Sequence, residues 1–149
     1  MIIVKSLAFL NNETIPQKYT CDGKNVNPAL QISNIPKEAK SLVLIVDDPD
    51  APKGTWTHWI VFNIDPTIKM IEEDDVPKGG ILGINTSSKI GYEGPCPPLG
   101  ETHRYFFKVY ALDIIFSSET RGSNKKQIEK AMENHVIDKG ELVGLYSRA

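Results

Sequence analysis

Cysteine is scarce in this chain, long apolar runs are missing, and neither sign of charge dominates. Each shortage removes a class of protein. The two cysteines, Cys21 and Cys96, lie far apart and form no Cys-x-x-Cys pair, which excludes a clustered zinc site and a disulfide-dense scaffold. In a reducing compartment they are expected to be free thiols. No window reaches the roughly 18 consecutive apolar residues of a transmembrane helix, so no integral membrane association is expected. At the N-terminus Lys5 follows the short apolar run Ile2-Ile3-Val4 instead of preceding it. That is the wrong order for a secretory signal, and the expected location is the cytoplasm. There the glycosylation-type matches at Asn12 and Asn85 carry no meaning. With 17 basic and 19 acidic residues the formal net charge is −2. Such a chain has no general attraction for nucleic acid or for an anionic membrane surface. Repeats, low-complexity tracts and linkers are also missing.

What is present fits one domain spanning residues 1–149. A chain of this size buries roughly 68–70% of its unfolded surface and needs neither disulfide nor metal to fold. Apolar residues make up 40% and charged residues 24%, the balance of an ordinary globular protein. Pro and Gly punctuate the whole length, as in short strands joined by ordered loops. Ile2 to Val4 can open a strand. Ser41 to Val46 is a continuous apolar run of strand length, expected to be buried on both faces. Thr57 to Ile64 and Tyr105 to Leu112 are rich in aromatic and β-branched residues and read as strands. Leu142 to Tyr146 reads as a short terminal one. A single helix is expected, capped by Asn124 with Gln127 three residues on. Its apolar face is Ile128, Met132, His135 and Val136, and Gly140 is its stop. Strands followed by a late helix predict a mainly antiparallel sheet or sandwich with helix at one edge. The acidic run Glu72-Glu73-Asp74-Asp75 is expected as a solvated loop.

Two stretches carry chemistry. Asp47-Asp48-Pro49-Asp50-Ala51-Pro52 follows the buried run directly, and its prolines stiffen the loop. If the flanking strands pair as a hairpin, Asp48 and His58 meet at one end of the sheet. Strict alternation puts His58, Ile60 and Phe62 on one face. The second stretch is a rigid Gly/Pro loop, Gly94-Pro95-Cys96-Pro97-Pro98, feeding His103-Arg104-Tyr105. Alternation there puts His103, Tyr105, Phe107 and Val109 on one face and turns Arg104 away, so no fixed cation is expected from this strand. Each piece alone has an ordinary structural explanation: a strand histidine, an Asp before Pro, a Pro-Pro turn. Two strand-end histidines, each beside a stiff loop, point to a site.

Asp48-Pro49-Asp50-Ala51-Pro52, His58-Trp59, Gly94-Pro95-Cys96-Pro97-Pro98 and His103-Arg104-Tyr105, in this order, resemble the phosphatidylethanolamine-binding proteins. The nearest group is the bacterial and archaeal branch called Raf-kinase-inhibitor-like. The likeness runs along nearly the whole chain, through Ile15-Pro16, Tyr19 to Gly23, Gly83 with Asn85, and Gly140-Glu141-Leu142. It implies an antiparallel β-sandwich with one or two peripheral helices, and an anion-binding pocket. Asp48, His58, His103 and Tyr105 would line the floor. Ala51, Pro52, Trp56, Gly94, Pro95 and Pro98 would form the rim. The resemblance also implies a cis Ala51–Pro52 bond and homodimer formation. Ile32, Ser87 and Ser88 depart from the branch's pattern, outside the four floor residues.

Four functions compete for these residues. The leading one is binding of a small anionic group, a phosphate or phospholipid head, with imidazole and phenol donors around it and Asp48 fixing a histidine tautomer. A hydrolase is the weaker alternative. His and Asp are acid–base equipment, but no Gly-x-Ser-x-Gly elbow exists and Cys96 sits between two prolines with no charged helper nearby in sequence. The chain is therefore read as not an enzyme. Two His and a carboxylate match a facial triad in type alone, so no metal and no cofactor are expected. An inhibitor of a kinase or protease, acting by protein contact, follows from the family resemblance and selects no particular partner.

Overall fold

The strand-length apolar and aromatic runs of the sequence become the three central strands of a sheet. In the computed structural model, which describes Met1–Ala149, β4 (Ser41–Asp48) lies between β5 (Trp56–Ile64) and β8 (Thr102–Leu112), antiparallel to both. Every residue of β4 is buried, as its unbroken apolar stretch requires. The preceding elements are β1 (Ile3–Lys5), β2 (Glu13–Thr14), a 3-10 turn at Gln17–Tyr19 and β3 (Leu30–Ser33). Short β6 (Met70–Ile71) and β7 (Ile81–Leu82) follow β5. After β8 come α1 (Lys125–Met132) and β9 (Val136–Ser147). The large sheet has the order β2-β9-β8-β4-β5-β7, and a small one has the order β1-β3-β6. The fold is mainly β, as expected. The large sheet is mixed, however, because β2 pairs with β9 in parallel.

Side-chain alternation divides the packing into two layers. Leu42, Leu44 and Val46 of β4, with Tyr105, Phe107 and Val109 of β8, face the small sheet and meet Val4, Leu30, Ile32 and Ile71. Val43 and Ile45 face the other way and pack with Ile60, Phe62, Phe116 and the helix residues Ile128 and Met132. Asp47 and Asp48 obey the same rule at the strand's end. Asp47 turns to the helix side and meets Lys125 Nζ of α1 at 3.1 Å and Lys108 Nζ at 3.4 Å. Asp48 turns inward.

The helix starts where expected. Asn124 Oδ1 accepts from the Gln127 N–H and Gln127 Oε1 accepts from the Asn124 N–H, both at 2.8 Å. It ends earlier than expected, at Met132. Asn134 adopts φ 66°, a left-handed turn that Asn tolerates, and Val136 and Ile137 then enter β9. Gly140 is no helix stop. It lies inside β9 opposite Val109, where the backbone carbonyl of Ile2 approaches so closely that no Cβ could be accommodated.

Two further expectations are corrected. Cys21 and Cys96 are not free thiols but form a disulfide with Cα atoms 5.5 Å apart. No peptide bond is cis, so the Ala51–Pro52 bond is trans.

Candidate functional site

The strand ends of β4, β5 and β8 and the two proline loops enclose a cavity of about 300 Å³. Its floor depends on a defect in the sheet. The register of β4 against β5 runs Val46↔Trp59 and then Asp47↔Thr57, leaving His58 without a partner. This is a β-bulge, which places two residues of one strand opposite one of the other and re-aims a side chain. Alternation alone would have set His58 with Ile60 and Phe62 against the helix. The bulge instead brings its ring edge-on to Tyr105, with centroids 5.3 Å apart. Tyr105 also stacks on His103 at 6.5 Å, so one phenol supports both imidazoles.

Each floor residue is held from behind. Asp48 Oδ2 accepts from His103 Nδ1 at 2.7 Å, and its Oδ1 accepts from the Asp50 N–H at 2.8 Å. Asp50 in turn takes the Arg104 N–H, Nε and Nη2 at 2.8–2.9 Å. The first proline loop is thus fastened to both faces of β8. The second is fastened to the turn after the 3-10 helix. Gly94 N–H donates to Asn25 Oδ1 at 2.7 Å, Cys21 N–H donates to the Pro95 carbonyl at 3.1 Å, and Tyr92 donates its hydroxyl to the Tyr19 carbonyl at 2.7 Å. Any side chain at Gly94 would collide with the Tyr19 carbonyl. The Cys21–Cys96 bridge closes the same seam.

The two imidazoles are shifted in opposite directions. Burial of His103 opposes its protonation, but hydrogen bonds to Glu101 and Asp48 outweigh it and raise the pKa above the ordinary 6.5. His103 Nε2 meets Glu101 Oε1 at 2.9 Å. Both ring nitrogens face carboxylates, which accept only, so the favoured form is imidazolium. His58 behaves oppositely. Burial pushes its pKa down despite the hydrogen bond to the Glu93 carbonyl. That bond, 2.7 Å from Nδ1, must be donated by the ring because a carbonyl only accepts. Neutral His58 therefore keeps a lone pair on Nε2 and can accept from a ligand. Tyr105 is held far above the usual phenol range by burial and by the Asp48 charge. Its hydroxyl is buried and has no hydrogen-bond partner, as is also true of Glu93 Oε2. Arg104 holds the Asp50 carboxyl down to about 2. The cavity thus sets an imidazolium-favouring His103, both of whose nitrogens are paired with carboxylates, beside a His58 that favours the neutral form and keeps an acceptor on Nε2.

Of the residues expected at the site, Asp48, Ala51, Pro52, Trp56, His58, Gly94, Pro98 and His103 line the cavity. Tyr105 lies behind the imidazoles and Pro95 is buried beneath the rim. Ser87, Glu93, Cys96 and Pro97 also line it; Cys96 and Pro97 belong to the second proline loop, but none of the four was assigned to the floor or rim from sequence. Glu101, which touches His103, was likewise missed, although it stands two residues before His103 and alternation would have put both on one face. A larger groove of about 920 Å³ runs along the first ten residues and β9. It holds no imidazole.

Comparison with known proteins agrees with this architecture. Residues 5–147 match the family model described as phosphatidylethanolamine-binding protein. A UPF0098 protein of Methanothermobacter thermautotrophicus is 48% identical over 97% of this chain and 98% of its own length. Another from Pyrococcus horikoshii is 52% identical over 99% of this chain and 78% of its own. Among solved structures, a putative phosphatidylethanolamine-binding protein homolog, CT736 of Chlamydia trachomatis, superimposes with a TM-score of 0.93 at 43% identity, covering 99% of this chain and 98% of that one. E. coli YbcL, described as a member of the mammalian PEBP family, gives 0.92 at 29% identity with 99% of each chain covered. With residues 5–147 matched by the family model and relatives and a solved structure similar over nearly the full length, the chain belongs to the phosphatidylethanolamine-binding protein family.

Proposed function

We propose that this chain is a non-catalytic binding protein that takes a small phosphate-bearing group, from a phosphate monoester or a phospholipid head, into the cavity between the proline loops. The observation that carries this reading is the imidazolium-favouring His103 lining the cavity beside His58. Carboxylates on both ring nitrogens raise the His103 pKa and favour its protonated form, a cation that a phosphate would complement. Neutral His58 adds an acceptor for a phosphate hydroxyl or another ligand donor. The family's description names a phospholipid with such a head group. A hydrolase finds less support. Cys96 is the cavity's one sulfur-bearing residue, and in its disulfide it offers no thiolate nucleophile. An inhibitor acting by protein contact could use the same pocket to take an acidic or phosphorylated segment of a partner.

Calorimetric titration with phosphate, O-phosphorylethanolamine and a neutral control tests the reading. Anion affinity is expected to weaken as pH rises through the raised pKa of His103. His103→Ala is expected to lose at least about tenfold in affinity, the scale of a hydrogen bond to a charged group, and to flatten the pH dependence. Wild-type protein that binds none of the anions at millimolar concentration overturns the small-ligand reading and leaves contact with a protein partner as the function to test.

A further inference from the structure

An imidazole has two nitrogens, and in His103 both are already taken. Nδ1 belongs to Asp48, whose side chain is 4% exposed and whose other oxygen is fixed by the Asp50 N–H. That contact is part of the frame. Nε2 belongs to Glu101 at 2.9 Å, and the Glu101 side chain is 50% exposed. This second contact is not framed. Glu101 makes no ion pair with any Lys or Arg, and its side chain has no hydrogen bond other than the one to His103. Arg104, the nearest cation in sequence, is committed to Asp50. The backbone around Glu101 is set independently, by its own N–H to the Pro98 carbonyl at 3.1 Å and by the Gly100 N–H to the Arg148 carbonyl at 2.7 Å. Rotation of the side chain alone would release His103 into the cavity, and the freed carboxylate would simply be hydrated.

We infer that Glu101 is an internal anion that occupies the ligand position on His103 Nε2 and must be displaced by any external anion that enters the pocket. The inference rests on the anion-binding reading of the same site and adds its control. Glu101 keeps His103 protonated and paired while the pocket is empty. It then competes twice with an incoming phosphate, for the same N–H and by like charge. Exposed carboxylate–cation pairs are weak, so the plug lowers affinity without closing the site. Ligands able to pay nothing to this carboxylate, through a cation of their own placed beside it, would be penalised less than bare anions.

The test titrates inorganic phosphate into the wild type, Glu101→Ala and Glu101→Gln, with the His103 ring followed by NMR as a function of pH. Removing the plug is expected to tighten phosphate binding roughly three- to tenfold in Glu101→Ala, with a smaller gain in Glu101→Gln, whose amide oxygen can still accept from Nε2. The His103 pKa is expected to fall in Glu101→Ala even without phosphate. If the wild type binds phosphate and Glu101→Ala binds it equally or more weakly, the plug is refuted while the anion site stands. If neither protein binds phosphate, both ideas fail. Binding by Glu101→Ala alone is the strongest support. A His103 titration unchanged by the substitution overturns the contact itself, whatever the ligand does.

Discussion

At the scale of single residues, two histidines a few ångströms from the same phenol carry opposite electrostatic assignments. His103 is raised because Glu101 and Asp48 accept from its two nitrogens, outweighing its burial. His58 is lowered because burial outweighs its one hydrogen bond, to a neutral carbonyl. Linkage turns these shifts into stability with opposite signs. A pKa raised on folding means that the folded chain holds its proton more tightly. The contribution of His103 is therefore fully present below pH 6.5 and is lost as pH rises through the raised value. A pKa lowered on folding means that the folded chain rejects the proton. The contribution of His58 is present above pH 6.5 and is lost as pH falls through the lowered value. In urea titrations between about pH 5.5 and 8.5, His103→Gln is expected to remove part of the decline on the alkaline side. His58→Gln is expected to remove part of the decline on the acid side. His135, paired with Asp113 on the surface, is common to all three proteins and cancels. A His103→Gln profile parallel to wild type above pH 6.5 would contradict the carboxylate account of that imidazolium.

At the scale of elements, legibility followed length and regularity. β4, β5 and β8 were visible because their apolar and aromatic runs fill whole strands, and the cap of α1 was visible because Asn124 and Gln127 have the spacing of a reciprocal cap. The two-residue strands β2, β6 and β7 carry no pattern. Residues 128, 132, 135 and 136 satisfy a helical period, yet Val136 begins β9. Short apolar runs are ambiguous between the two structures, and the pairing of Val136 with Leu112 is long-range information. Most of the site was legible as residues but not as geometry. The bulge that turns His58 inward leaves no local signature, and neither does the neighbour that Gly140 needs. Gly140 offers a sharp check. Replacing a strand glycine by alanine normally stabilises by about 0.5–1 kcal/mol through backbone entropy. Here the added Cβ would meet the Ile2 backbone carbonyl, and backbone cannot swing aside. Gly140→Ala is expected to destabilise by about 3 kcal/mol or more. Gly100→Ala, at φ 83° with nothing within 4 Å, is expected to cost only about 1 kcal/mol of strain. Equal urea midpoints for Gly140→Ala and wild type would mean that β1 does not sit against β9 in this way.

At the scale of the whole molecule, the question is what the Cys21–Cys96 bridge adds to a domain large enough to fold without one. The bridge joins two loops 75 residues apart in sequence, so the chain between them contains the entire β3, β4, β5, β6 and β7 region. In the chain-entropy view, closing a loop of that length disfavours the unfolded ensemble by about 4 kcal/mol. The folded seam does not depend on it. The Gly94–Asn25, Cys21–Pro95 and Tyr92–Tyr19 hydrogen bonds hold the same loops together. Reduction should therefore act on stability far more than on structure. Under dithiothreitol the urea midpoint is expected to drop, with a loss of up to about 4 kcal/mol, while the NMR resonances of His58, His103 and Tyr105 stay close to their oxidised positions. Cys21→Ser/Cys96→Ser should reproduce both results without reductant. Two outcomes would count against this account in different ways. Reactive thiols in the folded, untreated protein would show that the bridge is not formed. A pocket whose histidine resonances collapse on reduction would show that the disulfide, rather than the hydrogen-bonded seam, sets the geometry of the rim.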